Sequence, residues 1–114
     1  MGMQNRSPTG QEETIQLAAP AANTAFTPVL MNSRVFIPAN TVAINALNAY
    51  YTYAIFSDGP QAAVAIAVGD KIYWDNVAGK FTNVSTSNTL CGYALEASAS
   101  GGPTGRFRFD TFAA

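Results

Sequence analysis

The stretch from Gly69 to Phe81, GDKIYWDNVAGKF, constrains the fold of this chain most strongly, because it is typical of a β-hairpin. Ile72 and Trp74 are separated by one residue, which places both side chains on the same face of an extended strand. Residues 75–79 form the connection, and the glycine that ends it can adopt the positive φ that such loops need. Trp74 is the only tryptophan, and its burial removes roughly 150–250 Å² from water. We therefore expect this hairpin to lie at the centre of the core.

Turn signals separate further short strands along the chain, at a spacing of about 8–12 residues. The segment NAYYTYAIF at residues 48–56 is the strongest strand former, and both of its faces are apolar or aromatic, so we expect it to be covered on both sides. No segment is a convincing helix. We predict an all-β fold, a small antiparallel β-barrel or sandwich, with a flexible N-terminal arm over residues 1–12 and a single β domain over residues 13–114.

The same alternation predicts which side chains form the core. In the last strand two phenylalanines point inward between outward-pointing arginines. Gly92 leaves room for a large neighbour, which we expect to be the tryptophan. The predicted core residues are Ile72, Trp74, Phe81, Leu90, Tyr93, Leu95, Phe107 and Phe109.

The low charge content limits the classes of function. Charged residues make up 11% of the chain, against about 25% in typical globular domains. Such a surface favours coverage by other protein, although a monomer rich in Ala, Ser and Thr is the alternative. The net charge is −1 and there is no basic patch, so we expect no nucleic acid partner.

The chain also lacks the signals of membrane insertion and secretion. No apolar run reaches the roughly 18 residues of a membrane-spanning helix, and the N-terminus carries no apolar segment flanked by positive charge. We therefore expect no membrane partner. Cys91 is the only cysteine, which suits folding in a reducing cytoplasm, as a small buried apolar side chain.

The residues needed for catalysis are missing from the sequence. There is no histidine, which removes the commonest general base and metal ligand and rules out a Cys-His nucleophile. Asp70 and Asp75 stand close enough in sequence to approach each other across the hairpin, but capping of turns explains two such residues better than a carboxylate pair for sugar hydrolysis or calcium. We predict that the protein is not an enzyme, with no catalytic residue, no metal site and no cofactor.

Three motifs carry a resemblance to a known family. The segments GDKIYWD at residues 69–75, GYALEA at 92–97 and RFRF at 106–109 resemble the capsid cement, or decoration, proteins of tailed bacteriophages. Residues 13–20, ETIQLAAP, are similar to the opening strand of that family. The resemblance implies a compact, often trimeric β domain that docks on the outside of the assembled shell and stabilises the head without catalysis.

The implied partner is the major capsid protein, and the implied assembly is a homo-oligomer, most simply a trimer. The protein would fold in the bacterial host cytoplasm and end on the outer surface of the virion capsid. The alternative is a small non-catalytic β binding module of a phage tail or fibre, which binds carbohydrate or protein.

Two sets of contact residues follow as hypotheses. The polar N-terminal segment is either a disordered terminus or an arm that orders on a partner surface. Buried tyrosine hydroxyls need hydrogen-bond partners, which favours an interface for the aromatic strand. The capsid-binding arm is assigned to Met3, Gln4, Asn5, Arg6, Ser7 and Pro8, and the candidate oligomer interface to Tyr50, Tyr51, Tyr53 and Phe56.

Overall fold

A computed structural model of the chain describes residues 12–113 and the backbone of Gln4–Asn5. The described residues contain no helix, and therefore none that crosses a membrane. The strands pair antiparallel in a curled, half-barrel sheet, which confirms the predicted all-β antiparallel fold. In chain order they are β1 (Gln4–Asn5), β2 (Glu13–Ala18), β3 (Val29–Met31), β4 (Arg34–Pro38), β5 (Leu47–Ser57), β6 (Lys71–Asp75), β7 (Lys80–Thr82), β8 (Thr89–Ala94) and β9 (Phe107–Asp110). The division into an arm and a domain stays a prediction.

Strand β5 is the centre of the sheet, because β1, β2, β4 and β9 all pair with it. Strands β2 and β4 both pair with Tyr50 and Tyr51, so they lie on opposite edges of β5. Strand β9 pairs with the following residues, 53–56, and from β9 the sheet continues through β8 and β6 to β7. The aromatic segment predicted to be the strongest strand therefore organises the whole sheet.

The predicted hairpin is formed by β6 and β7, in which Trp74 lies directly opposite Phe81. The Asp75 carboxylate accepts hydrogen bonds from the backbone N–H groups of Val77 and Ala78. Gly79 has a φ of 70°, in the left-handed region that glycine adopts at little cost. The turn is thus fixed by an aspartate side chain at one end and a glycine backbone at the other.

Aromatic rings from four strands meet on the inner face of the sheet. The ring centroid of Phe107 lies 6.4 Å from that of Phe56 and 4.9 Å from that of Phe81, which in turn lies 4.8 Å from Trp74. Five predicted core residues belong to this cluster of buried side chains. The cluster comprises Val35, Ile37, Ala54, Phe56, Ile66, Ile72, Trp74, Phe81, Cys91, Ala94, Phe107 and Phe109.

The core prediction is wrong for Leu90, Tyr93 and Leu95, which are half-buried and lie outside this cluster. The register of β8 against β6 shifts at Cys91, which is an extra residue in a β-bulge. Around it, Leu90 pairs with Tyr73 and Tyr93 pairs with Lys71, so both point away from the core. Leu95 follows the end of β8, where the strand alternation no longer holds.

The sequence predicts that Gly92 makes room for the tryptophan. The structure shows instead that Gly92 makes room for the backbone of β9. A Cβ atom at this position would lie 2.0 Å from the carbonyl oxygen of Arg108 and 3.3 Å from the Cα of Phe109. Because backbone atoms in a paired strand cannot move aside as a flexible side chain does, any larger residue must push β8 and β9 apart.

Gly92→Ala is therefore expected to lower the free energy of unfolding by about 1–3 kcal/mol or more, as overpacking does in well-packed cores. The matched control is Gly102→Ala, whose added Cβ would lie 3.5 Å from the carbonyl oxygen of Ala99, at ordinary contact distance. Urea unfolding followed by Trp74 fluorescence measures both variants. Equal stability of the two variants would show that β8 and β9 do not approach each other as closely as described.

Candidate interaction surfaces

The four residues of the candidate oligomer interface do not share one surface, because β5 carries a register shift. Thr14 pairs with Tyr51 and Glu13 with Tyr53, so Thr52 is an extra residue between the two pairs. The shift lets Tyr51 point to the same side as Phe56, with their ring centroids 5.3 Å apart. Tyr53 remains on the other side of the sheet, where the Arg108 guanidinium lies over its ring.

The oligomer hypothesis is wrong for Tyr50 and Phe56, whose side chains are fully buried within the subunit. Phe56 belongs to the aromatic core, and Tyr51 packs against that core. Tyr50 lies in a second buried cluster, which consists of Asn23, Phe36, Asn48 and Tyr50. Its ring centroid lies 6.2 Å from that of Phe36. Tyr50 points to the same side of β5 as Tyr53 but is covered within the subunit, so only Tyr53 of the four lies on this side and is partly exposed.

A different group of side chains lies together on this outer side. Cross-strand pairing places Ile55 beside Arg108, Arg108 beside Tyr93, and Tyr93 beside Lys71. Arg108 and Lys71 are exposed, and the three tyrosines of the group are half-buried. We call this surface the outer face; it consists of Tyr53, Ile55, Lys71, Tyr73, Leu90, Tyr93 and Arg108.

Sequence reasoning did not find the outer face, although each strand gave part of the signal. Tyr73 alternates with the inward-facing Trp74, and Arg108 alternates with inward-facing phenylalanines. The alternation wrongly predicts a core position for Tyr93. Recognising one shared surface requires the register of β5, β9, β8 and β6, which is set by long-range pairing and by the two register shifts.

The acidic side chains of the central hairpin cap turns. Asp70 accepts hydrogen bonds from the Ala67 backbone N–H at 2.9 Å and from the Asn83 side-chain amide at 3.1 Å. These two contacts, the backbone one first, lower the pKa of the Asp70 carboxyl. No group of three or more Cys, Asp or Glu residues able to hold a metal ion occurs within residues 12–113. Cys91 is buried, and this burial strongly raises the pKa of its thiol, which disfavours the reactive thiolate.

Comparison with protein families decides what kind of protein carries these surfaces. The family model described as phage cement protein matches residues 8–109. The chain belongs to the phage cement protein family. This membership confirms the resemblance and makes the chain a structural phage protein associated with the capsid. Comparison with curated proteins and with solved structures gives no significant match.

The capsid-binding arm assigned to this cement protein lies almost entirely outside the described residues. Only the backbone of Gln4 and Asn5 is described, and it pairs with Ser57 and Phe56 at the end of β5. This part of the segment therefore lies along the sheet of its own subunit. The assignment of Met3, Arg6, Ser7 and Pro8 to a capsid contact stays a prediction.

The second buried cluster of the cement protein holds two loops together through hydrogen bonds. The Tyr50 hydroxyl donates to Oδ1 of Asn23, which lies between β2 and β3. The Asn48 side-chain amide donates to the same oxygen at 3.4 Å and to the backbone carbonyl of Asn40 at 2.8 Å. Burial raises the pKa of Tyr50.

Tyr50→Phe is expected to cost about 0.5–1.5 kcal/mol of stability at neutral pH, because it removes this hydrogen bond. The raised pKa means that folding favours the neutral phenol, so its contribution is complete below about pH 10 and is lost as the pH rises further. The variant should therefore lose less stability than the parent between pH 8 and pH 11 (about one unit either side of an ordinary tyrosine pKa).

Urea unfolding at these pH values measures the difference. Cys91, whose pKa is also raised by burial, is present in the parent and in the variant, so its contribution to the loss of stability at high pH cancels in the comparison. Tyr53→Phe is the control, since it removes a hydroxyl from the half-buried outer face. If the parent and Tyr50→Phe lose the same free energy of unfolding between pH 8 and pH 11, the role given to the buried phenol is contradicted.

Proposed function

We propose that this cement protein binds the outside of the assembled major capsid protein shell and stabilises the head without catalysis. The observation that carries the proposal is the family match over residues 8–109, which spans strand β2 and nearly all the strands that follow. A protein that binds the mature lattice and not its earlier form stabilises the mature lattice by mass action. No bond-making chemistry is needed for this function.

The outer face is the surface that we propose for the contact with the shell. Tyrosine and arginine are the residue types most enriched among the side chains that dominate binding energy at protein interfaces. Tyr53, Tyr73 and Tyr93 supply broad, rigid rings with few freely rotating bonds. Arg108 supplies a planar cation beside the Tyr53 ring. These side chains project from paired strands, so little backbone ordering opposes binding.

The N-terminal arm and oligomerisation belong to the same proposal. Residues Met3–Pro8 supply a second, weaker contact, since a short polar segment loses conformational entropy when it orders. Joining copies in a homo-oligomer, three by the family resemblance, makes later contacts intramolecular and raises avidity by roughly 10²–10⁴ over a single site. The protein folds in the host cytoplasm and then decorates the outer surface of the virion.

The test measures binding to purified heads that lack this protein, before and after shell expansion. The full chain is expected to saturate expanded heads at a fixed copy number and to bind unexpanded heads less. Arg108→Glu is expected to weaken binding at least about fivefold, the loss of more than 1 kcal/mol that defines an important interface side chain. Arg34→Glu, a charge reversal outside the outer face, is the matched control and should bind as the parent does.

Three outcomes decide between the parts of the proposal. No binding by the full chain rejects the shell as partner and leaves the small binding module. Equal binding by Arg108→Glu and Arg34→Glu moves the contact away from the outer face. A chain beginning at Glu13 should fold and bind more weakly; if it binds as tightly as the full chain, the arm has no part in the contact.

A further inference from the structure

Strand β2 is an edge strand in which all six residues are exposed. One of its edges pairs with β5, and no described residue pairs with the other edge. Ile15 and Leu17 are 39% and 36% exposed, and no charge or proline interrupts residues 14–18. Natural proteins usually protect such an edge with charges, prolines or bulges, because its free backbone groups bind another strand.

Hydrogen bonding next to β2 shows which backbone groups face outward. The Ala19 N–H donates to the Ala46 carbonyl at 2.9 Å, and the Ala19 carbonyl accepts from the Asn45 N–H at 2.8 Å. Both backbone groups of Ala19 thus point toward the β5 side. Because antiparallel strands alternate residue by residue, Ile15 and Leu17 also point their groups toward β5. The N–H and C=O groups of Thr14, Gln16 and Ala18 point away from it.

We propose that β2 of one copy pairs antiparallel with β2 of a second copy, about a two-fold axis that passes through Gln16. The outward-facing residues are symmetric about this position, so Gln16 pairs with Gln16 and Thr14 with Ala18 on each side of the axis. Each of these pairs exchanges two backbone hydrogen bonds in an antiparallel ladder. The contact is isologous, as two-fold interfaces are, and it continues the sheet from one subunit into the next.

The side chains favour the same register. Ile15 lies opposite Leu17 twice, which joins four exposed apolar side chains on one face of the new strand pair. No carboxylate lies opposite another. An axis through Ile15 would place Glu13 opposite Leu17 instead. An axis through Leu17 would place Thr14 opposite Pro20, which has no N–H to donate. The register centred on Gln16 therefore satisfies the most backbone groups and buries the most apolar surface.

This contact uses none of the outer-face residues, so it leaves that surface free for another partner. An isologous contact joins copies in pairs, so in a trimeric assembly it links a subunit of one trimer to a subunit of another. It rests on the geometry of β2 alone and not on the proposed binding to the shell. Its tests are therefore made on the purified protein in the absence of heads.

Disulfide cross-linking tests the register directly. In the proposed pair the two Gln16 Cα atoms lie about 5.5 Å apart, within the range that a disulfide bridges. Gln16→Cys should form a cross-linked dimer under mild oxidation, seen on a non-reducing gel. Thr14→Cys is the control, because the two Thr14 positions lie four residues, or about 14 Å, apart along the strands. The native Cys91 is buried and should not cross-link.

Folded Gln16→Cys that stays monomeric on the gel overturns the proposal. Equal cross-linking of the Gln16 and Thr14 variants overturns the register, since random collision would give that result. The double variant Thr14→Cys with Ala18→Cys should cross-link efficiently, because it places a cysteine opposite a cysteine on both sides of the axis.

Gln16→Pro tests the backbone hydrogen bonds without disturbing the subunit. Proline removes an N–H that points away from β5, so the ladder within the chain keeps its bonds, and proline is tolerated on edge strands. Sedimentation should show that self-association weakens at least about tenfold, while Gln16→Ala, the control, associates as the parent does. Gln16→Pro that keeps the parent's circular dichroism and the parent's assembly mass would overturn the proposal.

Discussion

Contact between inward-facing aromatic rings is the interaction on which the rest of the structure depends. Phe56, Phe107, Phe81 and Trp74 come from four different strands, and their rings touch in sequence across the inner face. The sheet curls around these rings, and two loop residues complete their burial: Ile66, between β5 and β6, and Phe26, between β2 and β3. Gly92 supports the arrangement by letting β8 approach the backbone of β9.

The burial of one face determines what remains for function. With the phenylalanines and the tryptophan turned inward, strand alternation turns Tyr53, Tyr73, Tyr93 and Arg108 outward. The resulting outer face is aromatic and carries the exposed cations Lys71 and Arg108, and the Asp110 carboxylate lies at its end, opposite Tyr53. The chain belongs to the phage cement protein family, whose role is structural, and the outer face is the surface that we propose for its contact with the shell.

Local pattern was sufficient to predict the fold class, the hairpin around Trp74 and the inward direction of Phe107 and Phe109. The same pattern failed where one extra residue enters a strand. The register shifts at Thr52 and Cys91 interrupt the alternation in β5 and β8. As a result Tyr51 lies on the same side as Phe56, and Tyr93 points away from the core. A bulge depends on how two distant strands pair, so the residue spacing within either strand does not reveal it.

The candidate surfaces were harder to predict than the core, for a related reason. A core residue is recognisable by its own apolar character, whereas the outer face and the edge of β2 are defined by which strands lie beside them. The resemblance supplied the partner class but no contact geometry. The tyrosines of β5 illustrate the gap: composition suggested an interface, and the pairing places Tyr50 inside the subunit.

An electron cryomicroscopy reconstruction of expanded heads saturated with this protein tests most directly whether the outer face binds the shell. We predict ordered density on the outside of the shell, with the sheet oriented so that Tyr73, Tyr93 and Arg108 contact the major capsid protein. Density on the outside in which these residues face solvent would contradict the assignment of the outer face. Saturated heads that show no added density would contradict the function itself.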